Sequence, residues 1–149
     1  MTGPHHELTP KVLGALYIEA MLLADEARSY FDRDQMAGRL SPEISVAFSC
    51  ESLKVTTRLM HSIAWLLNQK AMRAGELSQE EAESESRSLG YSPASDEYQV
   101  ERFPSEAQAL IAASEDLYLR LQRISNKILS EARTIPEPHA MIERLRASF

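Results

Sequence analysis

Apolar positions in this chain recur at helical rather than strand spacing. Between about Lys11 and Arg33, the residues Leu13, Leu16, Tyr17, Ala20, Leu23, Ala24, Ala27, Tyr30 and Phe31 fall three or four apart, as one face of an amphipathic helix requires. Asp34 to Leu40, with Gly38, reads as a connection. Ser41-Pro42-Glu43 opens a second helix, because serine caps free amides, proline suits the first turn and an early acid complements the dipole. No proline or glycine follows until Gly75, which predicts a helix of about 30 residues and roughly 45–50 Å. Gly75 marks its end. Ser78-Gln79-Glu80-Glu81 matches a capping box and starts a short helix, closed by Leu89-Gly90-Tyr91-Ser92-Pro93. From there to Phe103 a mobile acidic linker is predicted. Pro104 and Ser105 open a third long helix with Leu110, Leu117, Leu121, Ile124 and Ile128 along one face, and Pro136 and Pro138 break it. The last residues to Phe149 have room for one or two further turns.

No segment shows the period-two alternation of a strand. The pattern therefore predicts an all-α fold: an antiparallel three-helix bundle with a long central helix and short extra helices, completed as a homodimer. Residues 1–10, with two prolines and a glycine, are expected to be a flexible N-terminus. Residues 11–149 are expected to form one helical domain with an acidic linker at about 76–103, since the 149 residues suit a single domain.

At 100° per residue the long helix has three faces. Leu53, Met60, Ala64, Leu67 and Ala71 share one, and Phe48, Leu59, Ile63 and Leu66 another. Two apolar faces predict a helix wedged between the first and third. The remaining face carries Ala47, Glu51, Lys54, Arg58, His61, Trp65, Gln69 and Met72. An aromatic beside a guanidinium, an imidazole and a thioether is the mix enriched in binding hot spots. Lys54, Arg58, His61, Trp65, Gln69 and Met72 are thus the candidate protein-binding or dimer patch. Three covers are open to it: the chain's own acidic segment laying Tyr91, Tyr98 or Phe103 over Trp65, a second copy, or another protein.

Charge narrows the partners. The net charge is −6, and Glu76 to Glu101 holds eight acids against Arg87 alone. Phosphate binding needs a cationic surface, so nucleic acid is not an expected partner. No window reaches the ~20 apolar residues of a membrane span, and the first residues lack the cationic start and apolar run of a secretory signal. A cytoplasmic location away from membranes is expected. Cys50, the only cysteine, is read as a buried small hydrophobe.

Catalytic chemistry finds little foothold. His5-His6-Glu7 has no convergent ligands, His61 and His139 are isolated, and no Glu-x-x-His pair supports a di-iron bundle. No metal or cofactor is expected. There is no nucleophile elbow or glycine-rich phosphate loop. Helical chorismate mutases also use three helices in a dimer, but their dicarboxylate substrate needs several inward cations. Here Arg28 and Arg33 lie on a mostly acidic face, and Lys54 and Arg58 share one turn. A non-enzymatic protein is expected.

The second helix carries a resemblance. Ser52-Leu-Lys-Val-Thr-Thr-Arg-Leu-Met-His-Ser-Ile-Ala-Trp-Leu-Leu-Asn-Gln-Lys-Ala71, followed by Ala74-Gly-Glu-Leu-Ser78 and Glu80-Glu-Ala82, resembles the regulator of CtrA degradation family, many of whose members are known only as an alphaproteobacterial domain of unknown function. Ala24-Asp-Glu-Ala-Arg-Ser-Tyr30 is similar to that family's first helix. The likeness covers about Leu22 to Ala82, with Arg58 to Leu66 its most specific part, and loosens through the third helix. It implies a dimeric three-helix adaptor of the ClpXP protease. Its implied partners are the unfoldase complex, a response-regulator-type priming factor and cargo proteins such as the cell-cycle factor CtrA. A structural homodimer without a proteolytic role is the alternative. Ala140 to Phe149 departs from the disordered tail of some members, being amphipathic enough to dock.

Overall fold

The computed structural model describes residues 8–32, 40–82, 88–134 and 146. The expectations for His5, His6, His139 and the C-terminal segment lie outside them. The described residues give, in order, the helices α1 (Pro10–Phe31), α2 (Pro42–Arg73), α3 (Gln79–Ala82), α4 (Glu97–Val100) and α5 (Ser105–Thr134). Among the described residues there is no strand, and no helix is long and apolar enough to cross a membrane.

The helix starts follow from local chemistry. Thr9 Oγ1 accepts a hydrogen bond from Val12 N at 3.2 Å, and Ser41 Oγ accepts one from Ile44 N at 3.4 Å. Each cap precedes a proline, whose missing N–H falls where no helical acceptor exists. Gly75 closes α2 with φ 78°, a left-handed conformation that only glycine adopts without penalty. Ser78 Oγ accepts from Glu81 N at 3.1 Å, as its capping box predicts.

Five contacts fix the directions of the long helices. Lys70 Nζ of α2 sits 4.3 Å from the Tyr17 ring centre of α1, while Phe31 stacks on Phe48 at 5.2 Å, so α1 and α2 are antiparallel. Arg120 of α5 is paired with Glu19, at the same end of α1 as Tyr17. Phe48 meets Phe103 at 5.3 Å and Arg58 meets Ser114, so α2 and α5 run the same way. Antiparallel packing therefore holds for α1 against both partners but not between α2 and α5. A parallel pair needs the chain to travel back the length of the helix between them. Residues 88–104 do this.

That return strap is where the expectation of a mobile linker fails. Gly90 abuts His61, Pro93 and Ser95 reach Arg58, Asp96 reaches Glu51, and Phe103 packs on Phe48, so the strap descends α2 step by step. On its other side Tyr118 of α5 donates its hydroxyl to Gly90 O at 2.6 Å and accepts from Ser92 N at 3.1 Å. Asp96 caps α4 by accepting from Tyr98 N at 3.0 Å.

The core joins Leu13, Leu16, Ala20, Leu23 and Ala27 of α1 to Phe48, Val55, Leu59 and Leu66 of α2 and Leu110, Ile111, Leu117 and Leu121 of α5. The predicted stripes of α1 and α5 are the buried ones. Leu8, assigned to the flexible N-terminus, is buried as well, and its carbonyl accepts from Arg73 at 3.1 Å.

Candidate functional site

Of the residues singled out on α2, Arg58 and His61 form the seat of the strap, with Glu51 beside them. Arg58 is 1% exposed. Its guanidinium donates to Ser114 Oγ at 3.1 Å, Pro93 O at 3.1 Å and Ser95 Oγ at 2.6 Å, tying α2, the strap and α5 together. Burial pulls its pKa below the ordinary arginine value, and the nearby Glu115 and Glu51 act in the opposite direction. An arginine remains charged through such a shift, so the fold holds a cation there and neutral oxygens solvate it. Glu51, equally buried, accepts from Asp96 N at 3.2 Å and pairs with half-buried Lys54 at 2.9 Å. Ser95 N in turn donates to Glu115 at 3.4 Å.

Further along the same face, His61 is half-buried under Gly90, and a Cβ at position 90 would stand 2.7 Å from His61 Nδ1. Only a residue without a side chain lets the strap pass so close. Trp65 is 3% exposed, Gln69 is buried and accepts from Arg73 at 3.0 Å, and Met72 is half-buried. Lys54, Arg58, His61, Trp65, Gln69 and Met72 thus follow one another along α2, and their face is closed by the chain itself. Tyr91 and Tyr98 are not its covers: they stand 80% and 81% exposed. Phe103 is buried, and it packs on Phe48.

The expected packing face lies open. Val46, Leu53, Met60 and Leu67 are 66%, 68%, 63% and 45% exposed, with Cys50 and Ala64 beside them. The wedge between α1 and α5 is made by other sides of α2, so among the described residues no helix lies over Leu53, Met60 and Leu67, and Cys50 is not the buried hydrophobe expected. Every exposed residue of α2 between Ile44 and Gln69 is uncharged. A solvated helix face normally carries charge. The sequence signal was available: Val46, Leu53, Met60 and Leu67 are seven apart, the period of a helix that packs on another helix. It was missed because the same spacing serves equally inside a monomer.

A concavity of about 550 Å³ lies between α1 and α5, lined by Val12, Leu16, Arg120, Arg123, Ile124 and Lys127. Its Arg120 is engaged by Glu19 and by Asp116 at 2.9 Å, and the hydrogen bond it donates to Glu19 raises its pKa. Among the described residues no group of three or more His, Cys, Asp or Glu is placed to hold a metal ion.

No curated protein and no solved structure matches this chain. A family profile does, over residues 5–149, and it covers α1, α2, the strap and α5 together. The chain with this closed polar seat and open apolar face therefore belongs to the family described as "Protein of unknown function (DUF1465)".

Proposed function

We propose that the protein is a non-enzymatic, protein-binding regulator, and that it acts as an adaptor delivering substrates to the ClpXP protease. The observation that carries the first part is the open face of α2, whose exposed residues from Val46 to Leu67 include no charge and four large apolar side chains. Contiguous exposed apolar surface on a soluble domain marks an interaction site. The second part rests on the resemblance of Ser52 to Ala82 to the regulator of CtrA degradation family. An adaptor needs no catalytic residue, because tethering raises the local concentration of cargo at the protease.

The test is a reconstituted degradation assay with the cognate ClpXP protease, its priming factor and candidate cargo, with and without this protein. Faster cargo loss that disappears with Leu53→Glu supports both parts. Leu53 is the better probe than Trp65, since a change at buried Trp65 would disturb the fold itself. Unchanged cargo loss in every mixture overturns the adaptor reading. Acceleration that survives Leu53→Glu overturns the assignment to α2.

A further inference from the structure

On the reading that this protein works by binding other proteins, we infer that the concavity between α1 and α5 is a separate docking site. Its occupant is an acidic protein segment that carries one large apolar side chain between carboxylates. Because α1 and α5 run antiparallel, the pairing of Glu19 with Arg120 sets the turn of Leu16 beside Arg123 and Ile124, and Val12 beside Lys127. The Glu19–Arg120 ion pair closes one end. Leu16 and half-buried Ile124 form an apolar floor with Val12, which is 38% exposed. From Arg120 to Lys127 the wall of α5 runs roughly 10 Å at 1.5 Å per residue, the length of about three extended residues.

Charge decides what fits that floor. Arg120 is already neutralised by Glu19 and Asp116. Arg123 is exposed and makes no hydrogen bond or ion pair among the described residues. The chain carries 22 acids against 16 lysines and arginines, so a guanidinium left without a carboxylate beside apolar surface is unusual in it. A neutral segment seated there would desolvate Arg123 without compensation, and a basic one would be repelled by it. A carboxylate next to the seated apolar group meets the guanidinium as a charge-assisted pair. The walls come from two helices alone, with no third element over them among the described residues. Small-molecule sites bury roughly 70–90% of their ligand, so an open trough suits a length of chain better. No lining residue belongs to α2, which leaves its open face free for another protein, as tethering requires.

The test is an amide NMR titration of the isotope-labelled full chain with a blocked peptide of glycine, glutamate, leucine, glutamate and glycine. Saturable shifts are expected at Val12, Leu16, Arg123 and Ile124, and none at Val46, Leu53 and Met60. Arg123→Glu and Val12→Glu each change an exposed residue, so helical circular dichroism should be unchanged while the peptide Kd rises at least about tenfold. Replacing both glutamates of the peptide by glutamine should weaken it as much, and Leu53→Glu should leave binding as it was. The absence of saturable shifts, equal binding of the glutamine peptide, or shifts confined to α2 overturns the inference. Octanoate saturating the same amides when the peptide does not would make this a small-carboxylate site and overturn the protein segment. Peptide binding to a protein that accelerates no cargo loss would remove the adaptor reading and leave the groove. Accelerated cargo loss without saturable shifts would remove the groove alone.

Discussion

Arg58 and Leu53 stand five residues apart on α2, about 140° around its axis, and their surroundings invert the usual rule. The arginine is 1% exposed and the leucine 68% exposed. Polarity is not what decides which side of this helix is covered. Because α5 runs parallel to α2, the chain must return between them, and a returning strap brings backbone groups that need partners. Arg58 supplies donors to Pro93 O, and Glu51 accepts from Asp96 N. The polar flank is buried because extended backbone lies on it, and the apolar flank is open because no other element among the described residues lies over it. A helix side can thus be polar for internal reasons.

The sharpest way to break this contrast is a matched pair of truncations on α2. Leu66, with no exposed surface, should lower stability by about 2–5 kcal/mol on Leu66→Ala. Leu53→Ala should change it by under about 0.5 kcal/mol when measured by denaturant titration at concentrations too dilute for self-association. Equal losses would mean that the two flanks are not different in kind.

Next in size is the pin itself. Arg58→Met keeps much of the side-chain volume but removes three hydrogen bonds, leaving Pro93 O without its charged donor, and should cost about 2–3 kcal/mol. Amide hydrogen exchange should rise over residues 90–96 while the centres of α2 and α5 stay protected. Exchange that rises evenly along both helices would show that the strap does not open as a separate unit.

Gly90→Ala should cost about 1–3 kcal/mol, because the new methyl group meets the His61 ring. Paired with His61→Ala, most of that loss should vanish in a double-mutant cycle. Tyr118→Phe should have the smallest effect, about 1 kcal/mol, from the hydroxyl that bridges Gly90 O and Ser92 N. A larger loss from Tyr118→Phe than from Arg58→Met would move the anchor of the strap from α2 to α5.

Much of this architecture was readable from residues acting locally. Ser41-Pro42 and Pro104-Ser105 announce the second and third long helices, and Gly75 ends the second, because caps and breakers work through neighbours a turn away. The stripes Leu13 to Tyr30 and Leu110 to Leu121 are buried as their period requires. The strap was not readable. Its acids suggested a solvated linker, yet Asp96 caps α4 and its N–H is held by Glu51, which precedes it by 45 residues. The chemistry of Arg58 and Trp65 was seen, but the cover over them was misjudged, since Tyr91 and Tyr98 point to solvent.

What the sequence determined by itself is the three long helices and which residues share each of their faces, all consequences of period and of short-range hydrogen bonding. Which face closes and which stays open was decided only by the tertiary structure. Three faces of α2 compete for two helices and one strap, and the direction of α5 settles that competition. That direction rests on contacts between residues 45 to 56 apart, such as Arg58 with Ser114, which no local pattern encodes.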